Sequence, residues 1–208
     1  MRTYTLAPLL AATLLAGCSS TTLIDAPSAP TNAPPSDSSV SAGQRAFVFE
    51  SGTVPIGDFD PFTLAPEDYF DPCNDITEDE FRRAGFTGEI KRSTDGEIES
   101  PLGTSVCTFS NSEDFTTIGL AMVDSAREQV SQHREILNGH FSKLLPEIYV
   151  YNDGVEYAAM TPCVAQIDTE RGAIGTFFQT MDESVDLDEY CKIAIQNLES
   201  LYEASIKN

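Results

Sequence analysis

The stretch CVAQIDTERGAIGTFF, Cys163–Phe178, decides the predicted fold. Its two halves are rich in β-branched, aromatic and small apolar residues, and a polar segment that ends in Gly172 separates them. Short apolar runs on either side of such a segment are typical of a β-hairpin. We therefore predict antiparallel strands at Cys163–Asp168 and Ala173–Phe178, joined by a tight turn.

The chain on the amino-terminal side of this hairpin continues the same pattern. Glu147–Tyr151 and Val155–Met160 are β-rich runs, and Asn152-Asp153-Gly154 between them fits a hairpin turn with glycine in the left-handed position. Farther upstream, strands are predicted at Glu89–Arg92, Ser105–Ser110 and Phe115–Val123. Short, closely connected strands of this kind form a meander, so we expect an antiparallel sheet of about five or six strands.

Helical patterns flank these strands. Thr77 and Glu80 have the spacing of a capping box, and Gly85 marks the end of that helix. After Asp124, apolar spacing predicts a second helix that ends at Asn138-Gly139. The stripe of residues that recurs at helical spacing in this second helix consists of Ala126, Val130, His133 and Leu137.

The carboxyl-terminal segment predicts an amphipathic helix that packs on the sheet. It begins after Asp186 and runs to about Ser205. Its apolar stripe consists of Leu187, Cys191, Ala194, Ile195, Leu198, Leu201 and Tyr202. Helices segregated beside an antiparallel sheet define the α+β class. Between Phe47 and Phe70, aromatic residues alternate with Gly and Pro without a repeating period, which predicts an irregular arm over the core.

The first residues predict export and lipid attachment. A basic residue, Arg2, precedes an apolar stretch at Leu6–Leu15, and Leu15-Ala16-Gly17-Cys18 forms a lipobox. The apolar stretch is shorter than the roughly 20 residues that span a bilayer. We expect residues 1–17 to be a signal peptide cleaved between Gly17 and Cys18, with lipid on Cys18.

The rest of the chain divides by composition. Residues 18–46 are rich in Ser, Pro and Ala, and such composition cannot bury enough apolar surface to fold. We predict a disordered linker there and one α+β domain at 47–208. The expected localisation is the extracytoplasmic face of the cell membrane, where acyl chains hold the protein.

Four cysteines remain beyond Cys18: Cys73, Cys107, Cys163 and Cys191. An even number in an exported chain predicts two disulfides, and three pairings are arithmetically open. The cysteines group around two separate structural units, which favours one bridge between Cys73 and Cys107 and another between Cys163 and Cys191. Neither a C-x-x-C spacing nor a neighbouring histidine supports a metal site or a redox pair.

Phe70-Asp71-Pro72-Cys73 leads into the capped helix, and Cys107, Cys163 and Cys191 follow in order. This pattern resembles an uncharacterised family of actinobacterial cell-envelope lipoproteins over about Tyr69 to Ser205. The resemblance implies an α+β domain with an antiparallel sheet and flanking helices, tethered outside the plasma membrane. It implies no catalytic residues.

Charge excludes one class of partner. The formal net charge of −21 becomes about −22 when the leader is removed together with Arg2. Nucleic-acid phosphates and anionic headgroups bind through clustered Lys and Arg, so a strongly acidic chain repels both. We expect no nucleic-acid partner.

The residues that could support catalysis are few. We interpret His133 as a packed or hydrogen-bonded structural residue and His140 as exposed. No G-x-S-x-G elbow presents Ser142 as a nucleophile. The acidic group at Asp182–Glu189 lacks a calcium-loop pattern, and helix capping explains it. We expect no metal, no cofactor and no enzymatic activity.

The leading hypothesis is therefore a non-enzymatic envelope lipoprotein that binds a protein partner. The alternative is a carrier or sensor for a small apolar molecule or lipid held between sheet and helix. A hydrolase ranks last.

Overall fold

The folded chain combines strands and helices in the mixture expected of an α+β protein. A computed structural model of the protein describes residues 43–92, 105–113, 115–152 and 163–207. The predicted signal peptide, Cys18, most of the predicted linker and the strand predicted at Val155–Met160 lie outside the described residues. The described strands are β1 (Ala46–Phe49), β2 (Gly52–Pro55), β3 (Glu89–Arg92), β4 (Val106–Asn111), β5 (Thr116–Val123), β6 (Tyr149–Tyr151), β7 (Val164–Thr169) and β8 (Gly172–Thr180). The described α-helices are α1 (Pro72–Asp75), α2 (Glu78–Arg83), α3 (Arg127–His133) and α4 (Leu187–Ile206), and Pro66–Asp68 forms a 3-10 turn.

Six strands form one antiparallel sheet in the order β3-β4-β5-β8-β7-β6. The predicted hairpin of β7 and β8 is confirmed, because Thr169 lies opposite Gly172 at its turn. Gly172 has a φ of +88°, which places it in the left-handed region that favours glycine. β6 pairs with β7 along the edge of the sheet, and Tyr151 faces Val164.

The main core lies between one face of this sheet and α4. Strand alternation directs Leu120, Ile167 and Ile174 to that face, where they are fully buried with Leu198 and Leu201 of the helix. The predicted stripe of α4 is therefore confirmed from Cys191 to Tyr202, whereas Leu187 at its start is exposed. Burial of this kind stabilises each large apolar side chain by about 1.5–3 kcal/mol.

The helix predicted at Thr77 is confirmed with its capping box. The Thr77 hydroxyl accepts from the Glu80 backbone N–H at 3.3 Å, and the Glu80 carboxylate accepts from the Thr77 N–H at 2.9 Å. The same carboxylate accepts from the backbone N–H of Glu50 at 2.8 Å. A local motif therefore also fixes the turn between β1 and β2, far away in sequence.

The helix predicted after Asp124 is shorter than expected. α3 ends at His133, Arg134 is extended, and Ile136 bridges to Tyr151. The Leu137 N–H donates to the Val150 carbonyl at 2.8 Å. Residues that the apolar spacing assigned to a helix therefore form backbone hydrogen bonds with strand β6 instead. His133 is consequently exposed, and its interpretation as a packed residue is wrong.

The arm predicted between Phe47 and Phe70 is more regular than expected, because its start forms the β1-β2 hairpin. Its aromatic rings join the core: Phe47 meets Tyr202 of α4 edge to face at 5.5 Å, and Phe49 stacks on Phe70 at 5.3 Å. Alternate residues of such a short strand point to opposite sides, which is why no helical or longer period is visible in this segment.

Candidate functional site

The four cysteines beyond Cys18 form two disulfides. Cys73 in α1 is bonded to Cys107 in β4 with 5.5 Å between their Cα atoms. Cys163, just before β7, is bonded to Cys191 in α4 with 5.1 Å between their Cα atoms. The favoured pairing is therefore confirmed, and the second bridge clamps the terminal helix to the sheet.

None of the helices in the described ranges is long and apolar enough to cross a membrane.

His140 and Ser142 contact α4, whereas His133 is exposed. His140 is half-buried rather than exposed, and its Nε2 lies 3.4 Å from Asp188 Oδ1. The Ser142 hydroxyl is buried, donates to the Glu199 carboxylate and accepts the backbone N–H groups of Leu144 and Leu145 at 3.1 and 2.8 Å. Its hydrogen bonds thus fix a turn against α4, and His133 lies on another element.

The acidic group at 182–189 serves the start of α4. Asp186 caps the helix by accepting from Glu189 N–H at 2.9 Å, and Asp182 accepts from Ser184 N–H at 2.9 Å. The first hydrogen bond pairs a backbone donor that would otherwise be free at the start of the helix, and the second orders the turn that precedes it. In the described parts of the chain, no group of three His, Cys, Asp or Glu residues is placed to hold a metal ion.

A surface groove of about 800 Å³ lies on the opposite side of the sheet from α4. One wall is the loop Asp58–Phe62, which follows β2, and the other is the exposed side of residues 126–131 at the start of α3. Asp168 of β7 also lines this groove. We refer to it as the Phe62 groove.

Asp168 connects both walls of the Phe62 groove. Its backbone carbonyl accepts from Gly57 N–H at 3.2 Å, which positions the loop, and its carboxylate accepts from Arg127 N–H at 2.9 Å, which positions α3. Ala126, the residue at the helix start, has no capping side chain. The strand carboxylate therefore supplies the acceptor that the local sequence lacks.

A chain of hydrogen bonds runs beneath the groove toward Asp168. Tyr151 O–H donates to the Gln166 side-chain carbonyl at 3.0 Å, and the Gln166 amide donates both to the Tyr149 hydroxyl and to the Ser125 carbonyl. Tyr149 O–H then donates to Asp168 Oδ1 at 2.8 Å. Because every member is paired, this buried polar network is rigid and holds the Asp168 carboxylate in one orientation.

Burial controls protonation in this network. Desolvation raises the pKa of Asp168 above its ordinary value, and the hydrogen bonds from Arg127 and Tyr149 oppose that rise. Desolvation, followed by the nearby Asp168 charge, raises the pKa of Tyr149, so the phenol keeps its proton and remains a donor. The Arg127 guanidinium lies over the Tyr149 ring at 5.2 Å from its centroid.

The rim of the Phe62 groove is aromatic and acidic. Phe62 is 87% exposed, and its backbone N–H donates to Asp60 Oδ1 at 2.9 Å, which fixes the turn that presents the ring. Phe59 is half-buried and packs edge to face on Tyr69 at 6.2 Å. The lining carboxylates belong to Asp58, Asp60, Glu128 and Asp168, against one guanidinium, that of Arg127. The arrangement can therefore hold an apolar group beside a positively charged one.

A second, smaller groove of about 420 Å³ lies between α2 and α4. Its charged lining is mixed, with Arg83 and Lys207 beside Glu203, and Lys207 pairs with Glu203 at 2.7 Å. Balanced charge of this kind favours no particular class of ligand.

Sequence reasoning missed the Phe62 groove. Its two walls are distant in sequence, so no motif joins them. One signal was available: Gln166 and Asp168 are polar residues at alternate positions of a predicted strand, and therefore lie on one face of it. Two polar side chains on the same face of a buried strand indicate a polar network beneath a covering element.

The family model described as "Protein of unknown function (DUF3558)" matches residues 13–204. The resemblance indicated by the Asp-Pro-Cys start and the order of the cysteines is thus confirmed at the level of a family of unknown function. No curated protein and no solved structure matches the chain.

Proposed function

The chain belongs to the DUF3558 family of proteins of unknown function, and we propose that it is a lipid-anchored protein on the extracytoplasmic face of the cell membrane. Its α+β domain binds a partner protein there, without catalysing a reaction. Lipid on Cys18 holds the protein, and the linker that follows sets the distance of the domain from the membrane.

Two features support the anchoring. The lipobox Leu15–Cys18 follows an apolar stretch of signal-peptide length. In addition, the pairs Cys73–Cys107 and Cys163–Cys191 are disulfides, which persist in oxidising compartments outside the cytosol. A chain of net charge −21 has little intrinsic affinity for anionic headgroups, so the lipid is the attachment that this composition requires.

The observation that carries the binding role is the exposed ring of Phe62 on a rigid acidic groove. Phe62 is 87% exposed, a turn and a sheet-anchored loop hold it in place, and the half-buried Phe59 and Pro61 beside it extend its apolar surface along the groove. Contiguous apolar surface of this kind marks protein interaction sites. Asp168 orders both walls before any partner arrives, so little conformational entropy is lost on binding.

The two other hypotheses have less support. For a carrier, the space between sheet and α4 would have to hold the ligand, yet Leu120, Leu198 and Leu201 fill it with their own side chains. For a hydrolase, the Ser142 hydroxyl would have to reach a substrate, yet it is buried and accepts the backbone N–H groups of Leu144 and Leu145 in its own turn.

Site-specific photocrosslinking in intact cells tests the binding role. The full chain carries a photoreactive phenylalanine analogue in place of Phe62, which preserves the aromatic ring. We expect a discrete protein adduct from this position after irradiation. Absence of any protein adduct at position 62 would contradict the proposed binding role.

Position 115 is the matched control. Phe115 is also an exposed phenylalanine, 70% accessible, but it lies at the turn before β5 and does not line the Phe62 groove. The same analogue at this position should give no adduct of that mass. Adducts of the same mass and yield from positions 62 and 115 would indicate that the crosslinked protein contacts the domain without using a defined site.

A further inference from the structure

We infer that the Phe62 groove receives a basic segment of the partner protein, in which Lys or Arg lies beside an apolar side chain. This inference rests on the proposed function and adds the chemistry of the partner. The contacts around the groove specify both parts of such a segment.

The lining of the Phe62 groove is predominantly acidic. Asp58, Asp60 and Glu128 are exposed, and no lysine, arginine or histidine in the described residues forms an ion pair with their carboxylates. The guanidinium of Arg127 lies over the Tyr149 ring instead. Three carboxylates on one rim attract a cation and repel an acidic segment, which gives the groove its selectivity.

Hydrogen-bond acceptors predominate on the exposed lining of the groove, where the carboxylates of Asp58, Asp60 and Glu128 lie. An ionised carboxylate can only accept, whereas lysine and arginine side chains only donate. A cationic side chain from a partner would donate to these groups together, and Arg would do so with several N–H groups at once.

The apolar part of the segment would lie against the loop that carries Phe62. Pro61 and Phe59 are half-buried on either side of the turn that exposes Phe62. They give the ring an apolar border on the groove side. An aliphatic or aromatic side chain of the partner would cover Phe62 while its basic neighbour reaches Asp58 or Glu128.

The linker of this chain does not supply such a segment. Residues 19–43 contain two aspartates and neither lysine nor arginine, so its own linker is not complementary to the groove. A second copy brings a net charge of −21, which opposes association. Nucleic acid and anionic lipid present phosphate, which the same carboxylates repel. The occupant with complementary charge is a different, basic protein.

The test uses the full, membrane-bound chain with the photoreactive analogue at position 62. After irradiation the adduct is digested, and the partner peptide attached to position 62 is sequenced by mass spectrometry. We expect Lys or Arg within a few residues of the crosslinked position. Adduct yield should also fall on the order of tenfold when Asp58→Asn and Asp60→Asn are combined, because two attractive charges are removed.

A matched pair of substitutions controls for total charge. Asp60→Asn keeps the Oδ1 acceptor that binds Phe62 N–H, and Asp182→Asn keeps the equivalent acceptor for Ser184 N–H. Asp182→Asn combined with Glu183→Gln therefore removes the same charge from an equivalent turn away from the groove. This control should change the yield by less than about twofold.

The outcomes separate the inference from the proposed function. If the attached peptide is neutral or acidic, the inference of a basic segment is wrong, although the binding role stands. The same conclusion follows if both pairs of substitutions reduce the adduct yield equally. A basic peptide with loss of yield only in the Asp58 and Asp60 pair supports the inference. Absence of an adduct from position 62 overturns both.

Discussion

The backbone N–H of Arg127 donates to the carboxylate of Asp168 across 2.9 Å, and so joins the first residue of α3 to strand β7. The backbone carbonyl of the same aspartate accepts from Gly57 N–H at 3.2 Å. One residue of the sheet thus orders the two walls of the Phe62 groove. Its environment makes this arrangement sensitive to pH.

Asp168→Asn should alter the pH dependence of stability. Burial raises the pKa of Asp168, so the folded chain holds its proton more tightly than the unfolded chain does. Its contribution to the free energy of unfolding therefore falls as pH rises from the ordinary value of 3.8 toward the raised one. Urea unfolding measured across that pH range should show that the free energy of unfolding of wild type, minus that of Asp168→Asn, decreases as pH rises.

Asp182→Asn provides a control of opposite sign. Hydrogen bonds from Ser184 lower the pKa of Asp182, so its contribution is present above the ordinary value of 3.8 and is lost as pH falls. The free energy of unfolding of wild type, minus that of Asp182→Asn, should increase as pH rises. A difference for Asp168→Asn that also increased with pH would contradict the burial of its carboxylate.

Glu80→Ala should destabilise the domain by about 2 kcal/mol, because it removes a buried carboxylate that accepts from both the Thr77 and the Glu50 backbone N–H groups. Glu80 is only 2% exposed and accepts both donors at 2.8–2.9 Å. Chemical unfolding monitored by circular dichroism measures the loss. Glu78→Ala, on the exposed side of α2, removes only an exposed ion pair with Arg82 and should cost less than about 0.5 kcal/mol. Equal losses for the two variants would contradict the role of Glu80.

Cys163→Ala combined with Cys191→Ala should lower the free energy of unfolding by about 3–4 kcal/mol. The bridge closes a loop with a sequence separation of 28, and the loop-entropy relation gives this magnitude. Guanidinium titration of the oxidised proteins measures it. Reduction by dithiothreitol should lower the stability of wild type further than that of the double variant, because only wild type then loses both bridges. Identical unfolding of oxidised wild type and the double variant would rule out a stabilising clamp.

Gly172→Ala should cost more stability than Gly139→Ala. Both glycines have left-handed φ values, +88° and +101°, so each alanine bears backbone strain of about 1–2 kcal/mol. An added Cβ at Gly172 would also lie 2.6 Å from Tyr69 Cδ1, whereas nothing lies within 4 Å of one at Gly139. Thermal unfolding compares the pair. Equal losses would mean that the β7-β8 turn does not pack on Tyr69.

Local signals explain why much of this fold could be predicted. The capping box of Thr77 and Glu80 and the β7-β8 turn at Gly172 depend on residues within one turn of each other, and an even cysteine count limits the possible pairings. α3 was predicted too long because its final apolar residue, Leu137, is held by the edge strand at Val150. Periodicity along the chain does not reveal a competing hydrogen-bond partner from another element.

The candidate site could not be predicted for the same reason. Asp58–Phe62, Arg127 and Asp168 meet only because the hairpin of β1 and β2 and the helix α3 both attach to β7. An exposed phenylalanine such as Phe62 is indistinguishable in sequence from one that packs in the core, as Phe47 and Phe70 do. Exposure is a property of the folded chain and decides which aromatic residues can bind a partner.

The mass of the mature amino terminus tests the central claim, lipid attachment at Cys18, most directly. Arg45 is the first lysine or arginine after Cys18, so trypsin releases residues 18–45 as one peptide with any attached lipid. The account predicts that this peptide, from the membrane fraction, begins at Cys18 and carries diacylglycerol, and that Cys18→Ser abolishes the modification. An unmodified Cys18, or residues 1–17 still attached to the chain, would contradict it.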